Sequence, residues 1–426
     1  MKKCLSLVIS VCLMLSMVSV AFAEPVTLSY NDWSYVDEGW KDCYTALFAQ
    51  FDELYGSEID LQVGGNAFAD TLNNLLIQAA GGNPPDIAKI KTEWLPQFLA
   101  MGVLADLTPY LPEEMESDFY SGTLDAYRYN GGLYAIPYFS QSYAVFYNKD
   151  LLEQAGITEL PKTFDELIEA AYKVSALGSD ENGNTIYGLG LPANGTTNGD
   201  GYNVFPWLWA NGGAFKDENG QISLYSEANL EAFTQIQKMY VDGVSPVGLT
   251  FYEMRTLFGT GNLGFYWDLM SQTASFTLSS VLGEEYLDHI GAFIIPGAEE
   301  GDGVSYRTES IFVIFNTCKN PEIAMKVIDY LSGTQGQQIL AEYGRGKMSG
   351  RASVMDLIYK DTTDEITKAY IGAMAVCRPM PFTDAAFMEA DLAIGRAIVR
   401  LAMNEEVDTV IKELQAEVEE IYAAAN

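Results

Sequence analysis

Histidine is the usual proton carrier of nucleophilic catalysis, and this sequence holds a single one, His289. A Ser-His-Asp or Cys-His site would have to use it. No nucleophile motif lies beside it, so it reads as a structural residue. Cys43, Cys318 and Cys377 are far apart and include no C-x-x-C pair. That spacing argues against a zinc site or a disulfide framework and leaves room for one bridge. Asp180, Asn182 and Asn184 have the spacing of oxygen ligands, but the glycine position and closing glutamate of a calcium loop are missing. They read as a surface turn. Glu113-Glu114 and Glu284-Glu285 are adjacent in the chain. Their side chains diverge, whereas glycoside hydrolysis needs two carboxyls converging at about 5 to 9.5 Å. No metal, no cofactor and no enzymatic chemistry are expected.

One function these residue types allow is a non-covalent grip on a small polar molecule. Such a grip needs rings over apolar faces and fixed side chains for hydroxyls. The chain has 26 Tyr, 21 Phe and 6 Trp, enough for binding walls as well as cores. Asn31-Asp32-Trp33 follows the first expected strand, where Trp33 can stack on a ligand or cover the sheet edge. Glu93-Trp94 follows the third, with Glu93 as hydroxyl acceptor or helix cap and Trp94 at the edge or in the core. Trp207 and Trp209 lie two apart near a helix start. They cannot share a face, so one is expected toward a cleft and one toward the core. Arg307 and Arg345 can meet an anionic ligand or close structural ion pairs.

The elements that must hold these residues alternate. Val26 to Tyr30, Ile59 to Val63 and Asp86 to Ile90 read as strands, and Asp37 to Leu54 and Asp70 to Ala80 as helices between them. That order predicts parallel βαβ units in an α/β fold. Thr163 with Glu166 is a capping box that opens a helix to about Leu177. Asn320-Pro321 and Thr334 start two more. Val407, Ile411, Leu414, Val418 and Ile421 form one helix face packed on a core. No internal repeat or low-complexity segment interrupts the pattern.

The N-terminus reads as a secretory signal. Lys2 and Lys3 precede the apolar run from Leu5 to Val20, and Ala21-Phe22-Ala23 gives small residues at the two cleavage positions. Cleavage is expected after Ala23. The run is short for a span of about 20 residues, and Cys12 lacks the small residue a lipoprotein needs before it. The 426 residues carry a net charge of −34, and losing Lys2 and Lys3 makes it −36. That field repels phosphate backbones, so nucleic acid is not an expected partner.

The ordered segments resemble a known family. Gly82-Asn83-Pro84-Pro85-Asp86-Ile87, Gly132-Leu133-Tyr134-Ala135-Ile136-Pro137, and Tyr147-Asn148-Lys149-Asp150-Leu151-Leu152 carry the resemblance. So do Pro161 to Leu167, Asn211-Gly212-Gly213-Ala214-Phe215 and Asn320-Pro321-Glu322-Ile323-Ala324. The chain is similar to family 1 extracellular solute-binding proteins of bacterial ABC transporters, the maltose-binding protein group. The resemblance implies a two-lobed α/β fold of the periplasmic-binding-protein type (type II), each lobe a mostly parallel sheet flanked by helices, with three hinge crossings. It places lobe 1 at 24–140, lobe 2 at 141–310, a lobe 1 return at 311–346 and lobe 2 C-terminal helices at 347–426. Crossings are expected near Phe139 to Tyr143, Thr308 to Val313 and Gly346 to Arg351.

The implied function is capture of a carbohydrate between the lobes and its delivery to ABC permease subunits, by a monomer in the periplasm or outside the cell. A non-sugar binder (for a phosphate ester or a polyamine) and a secreted glycosidase are the alternatives. The resemblance adds Gln141 at the hinge, Asp200 and Tyr202 as an acid-plus-tyrosine pair, and Phe387 in a late helix. Trp267 and Asp268 stand where relatives carry a Gly-x-Trp, a departure that bears on the ligand.

Overall fold

The computed structural model describes residues 24–120, 123–196, 201–269, 288–343, 348–378, 380–381 and 384–425. Asp200 and Arg345, two of the expected site residues, and the signal segment lie outside them. The strands are β1 (Val26–Asn31), β2 (Ile59–Gly64), β3 (Ile87–Lys91), β4 (Arg128–Tyr129), β5 (Gly132–Leu133), β6 (Ile136–Asn148), β7 (Tyr187–Leu189), β8 (Leu263–Leu269), β9 (Ile290–Phe293) and β10 (Arg307–Ile314). They run in the order β2-β1-β3-β10-β6-β8-β7, with β9 against β6 and β4-β5 as a separate ribbon. The βαβ strands pair in parallel, β1 with β2 and β3, and β7 with β8. β10 and β6 add antiparallel pairs, because they bring the chain back between the lobes.

The apolar residues fall into two cores. Leu28, Leu47, Ile87, Phe98, Phe139, Ile311 and Ile328 belong to the first. Tyr143, Leu167, Trp207, Phe265, Tyr306, Met348 and Ile394 belong to the second. β6 thus leaves the first core at Phe139 and enters the second at Tyr143, and β10 makes the return between Tyr306 and Ile311. The third passage ends near Met348, whose carbonyl accepts the Ser140 N–H at 2.8 Å. There Arg351 bonds Asp118 at 2.7 Å and Asp329 at 2.6 Å, fastening the passage to the first lobe.

Local chemistry explains the helix limits. The first long helix is Lys41–Tyr55, later than its expected start, because Asp37 caps a separate 3₁₀ turn by accepting the Gly39 N–H. Thr163 accepts the Glu166 N–H at 3.2 Å, while the Glu166 carboxylate returns to Lys162 instead of to the cap. The complete capping box is at Thr250 and Glu253, opening the helix Phe251–Gly259. In the last helix, Val407–Ala425, Val410, Ile411, Leu414 and Val418 are buried. Burying one such side chain is worth about 1.5–3 kcal/mol, so this stripe holds the helix down.

Candidate ligand-binding cleft

The first wall grows from the carboxyl ends of β1 and β3. After Asn31, Asp32 turns the chain into the 3₁₀ turn Trp33–Val36 by accepting the Ser34 N–H at 2.8 Å. Asp32 also accepts the Tyr30 and Tyr44 hydroxyls at 2.6 and 2.8 Å and pairs with Lys89, both charges being fully buried. Trp33 stands edge-on to Phe68 (5.4 Å between ring centroids) and Trp94 (5.7 Å). Phe68 is exposed, Trp33 half-buried and Trp94 buried, so the trio grades from solvent to core. After β3, the turn Thr92–Trp94 carries Glu93, whose Oε2 is buried without a hydrogen-bond partner. A carboxylate oxygen held so is a vacant acceptor.

The second wall is built of phenols. Tyr143 stacks on Tyr306 at 4.0 Å, and Tyr202 stands edge-on to both. The Tyr143 and Tyr202 hydroxyls are 3.3 Å apart, and Tyr306 donates to Asn203 Oδ1 at 2.9 Å. The Tyr202 N–H donates to Asp391 Oδ1 at 2.7 Å. Gly201 makes that approach feasible, because a Cβ there would lie 2.1 Å from the Asp391 carbonyl oxygen. Burial raises the pKa of Tyr143 and Tyr202, and the Glu93 charge adds to both. Glu93, from the first lobe, therefore lies near the phenols of the second. One helix further, Gln97 donates to Met388 Sδ at 3.6 Å, and Met388 packs against the first core. The lobes meet on this side of Glu93.

Between the walls run the crossing strands. Gln141 on β6 is half-buried and faces Thr308 on β10. Arg307 is half-exposed and lies 3.4 Å from Glu309. Glu309, buried, accepts the hydroxyls of Tyr127 and Ser140.

Trp33 and Glu93 follow the carboxyl ends of β1 and β3, Tyr202 stands among the phenols of the second lobe, and Gln141 and Arg307 lie on the crossing strands, with Asn31 buried at the end of β1 and its Oδ1 unpartnered. Four expected contacts are corrected. Trp207 and Trp267 are fully buried, 6.4 Å apart, and Trp207 also meets Phe164, so both are core. Of the tryptophan pair it is Trp209 that approaches the phenols, 6.5 Å from Tyr306. Asp268 is fully buried in a two-bond pair with Arg255, at 2.6 and 2.8 Å, so it is structural. Phe387 is buried against Phe205 and Phe215. Neighbouring Met388 is the one that reaches the first lobe. Asp32, Lys89, Phe68, Tyr143, Tyr306 and Asp391 were missed. Asp32 alone had a signal, as an Asx cap before a tryptophan.

The decoys take plain roles. Asp180 accepts from the N–H groups of Asn182 and Asn184 and from the Asn262 side chain, which with the Asn184 amide lower its pKa to about 2. His289 pairs with Asp150 at the surface, and that bond raises its pKa. Cys43, Cys318 and Cys377, the cysteines among the described residues, are free thiols.

Two α/β lobes joined by crossing strands make the two-lobed periplasmic-binding-protein fold. The chain belongs to the family of bacterial extracellular solute-binding proteins, which residues 41–338 match. A binding protein of Brucella abortus (strain 2308) is 30% identical over 263 residues, 61% of each chain. This chain thus spans about three fifths of the length of the Brucella relatives it matches. The maltooligosaccharide ABC transporter solute-binding lipoprotein of Streptococcus pneumoniae (strain ATCC BAA-255 / R6) is 25% identical over 395 residues, 89% of this chain and 87% of that one. Among solved structures, the GacH receptor of Streptomyces glaucescens, solved unliganded and with acarbose, superposes with a TM-score of 0.78 at 21% identity, covering 93% and 98%. UgpB from Mycobacterium tuberculosis, in complex with glycerophosphocholine, gives a TM-score of 0.78 at 18% identity, covering 94% and 99%.

Proposed function

We propose that this protein is the exported solute-binding component of an ABC importer and that it captures a carbohydrate between its lobes, without chemical change, for delivery to membrane permease subunits. The observation that carries the reading is the vacant, buried Glu93 oxygen of one lobe set near the Tyr143–Tyr202 hydroxyls of the other. A sugar hydroxyl donates to the first and bonds the second, while Trp33 covers a C–H face. Only the closed form makes both sets of contacts, so binding favours closure. The maltooligosaccharide and acarbose binders among its relatives support the carbohydrate class. In this reading the lobes are 24–140 with 311–346, and 141–310 with 347–426, a division the two cores support. The leader ends at Ala23 and the mature chain works as a monomer at the cell surface or in the periplasm. A thermal-shift series with maltose, maltotriose, acarbose, glycerophosphocholine and spermidine tests the ligand class. A ligand that binds the folded form alone raises the melting temperature. A shift with glycerophosphocholine or spermidine and with no sugar overturns the carbohydrate reading. Release of new sugars on prolonged incubation overturns the non-enzymatic one.

A further inference from the structure

The Asp32–Lys89 pair is hard to explain as a stabilising device. Both side chains are fully buried, and an apolar pair of similar volume generally serves stability as well or better. Its bonds nonetheless converge on one place. Lys89 Nζ donates to Ser34 Oγ at 2.7 Å and lies 4.0 Å from the centre of the Trp33 ring. Asp32 accepts the Ser34 N–H, so both partners grip the turn that carries Trp33. The rings of Tyr44, Tyr138 and Phe139 stand 5.8 to 6.0 Å from the same ammonium. The protein fills an aromatic cage with its own cation, and one wall of that cage is the indole at the cleft. The turn is braced from behind as well. A Cβ on Gly65 would lie 2.2 Å from the Asp32 carbonyl oxygen, so glycine there lets the β2 loop close on it.

We propose that Asp32 and Lys89 are positioning residues for ligand binding: the buried pair fixes the tilt of the Trp33 ring that faces the ligand. The inference rests on the reading that Trp33 stacks on a sugar. A cation held on one side of the indole orients it in a way an apolar neighbour does not, because attraction to the ring is directed at its face. Phe68 and Trp94, both edge-on to Trp33, restrain the ring from other directions but bring no charge.

The test uses the mature chain labelled with 5-fluorotryptophan, the Trp33 resonance being assigned by Trp33→Phe. The variants are Asp32→Leu with Lys89→Met, which replaces the pair by apolar groups, and Asp32→Asn, which keeps the shape and lowers the charge. The apolar double variant is expected to fold, to shift and broaden the Trp33 fluorine signal, and to bind maltotriose about tenfold more weakly, about the worth of one fixed contact. An unchanged Trp33 signal and unchanged maltotriose affinity in the folded double variant overturn the proposal. Should the double variant not fold, the same readouts on Asp32→Asn decide, with an unmoved signal again overturning it. If the unmodified protein does not bind maltotriose, the carbohydrate reading is judged on the other sugars of the thermal-shift series, and the fluorine signal decides whether the pair positions Trp33.

Discussion

In the first lobe the buried ion pair is Asp32 with Lys89; in the second it is Asp268 with Arg255. Asp268 takes both its oxygens to one guanidinium fork, and Tyr370 bonds its carbonyl at 2.6 Å. Burial pulls Arg255 down, but the Asp268 charge and bonds outweigh it and its pKa rises. At Lys89 burial wins over the Asp32 charge and lowers the pKa to about 8. Arginine offers a planar fork that meets a carboxylate twice, while lysine is a point charge that keeps its remaining donors for other groups. The second lobe's pair therefore puts two bonds between its own partners, while the first lobe's lysine also reaches Ser34 and Trp33.

The largest effect that could break this contrast is on stability. Arg255→Met takes both guanidinium bonds from a buried carboxylate that keeps the Leu269 N–H, and should cost about 3–5 kcal/mol in urea unfolding. Lys89→Met should cost less, about 2–3 kcal/mol, because Asp32 keeps three hydrogen-bond donors. The reverse order would end the comparison. Next comes pH. The folded state sheds the Lys89 proton near pH 8 and the unfolded chain near 10.5. Between those values the unfolded state holds more protons, so stability rises with pH across that window. The gain should approach about 3 kcal/mol relative to the apolar double variant, seen as a difference between the two proteins' urea midpoints from pH 8 to 10.5. Arg255 contributes no such window.

Smaller effects fall on binding. Glu93→Gln should weaken the captured sugar by roughly 10- to 100-fold in calorimetry, with the melting temperature of the free protein unchanged, since Oε2 bonds nothing without ligand. Tyr202→Phe should lose about fivefold, one neutral hydrogen bond's worth. Equal losses at the two positions would make the walls equivalent. Trp207→Ala gives the opposite signature, about 3–5 kcal/mol of stability, because it empties a core site.

The elements were legible because period and punctuation are local. The strand limits at Ile59 and the stripe at Ile411, Leu414 and Val418 needed no tertiary knowledge. Glu93 stands out in the sequence as a residue just after a strand, whereas Tyr202 stands out only through the family resemblance. Trp267 was not legible, because β8 is buried along its whole length and shows no alternation to tell core from cleft. Neither ion pair could be read: Asp32 and Lys89 are 57 positions apart and meet only once β1 and β3 pair. Phe387 and Met388 sit side by side on one helix, and a helix turns about 100° per residue, so only docking decides which of them faces the other lobe.

β6 and β10 run through the waist as continuous ladders rather than as a flexible tether. The one irregularity is the register shift between Ser310 and Ile311, where the spare residue softens the ribbon. Closure of the lobes on a ligand, as proposed, would flex two bonded ribbons as a leaf spring is flexed. Capture and release can then repeat without breaking a single rung, and amide protons in these strands should exchange as slowly in the open form as in the closed one.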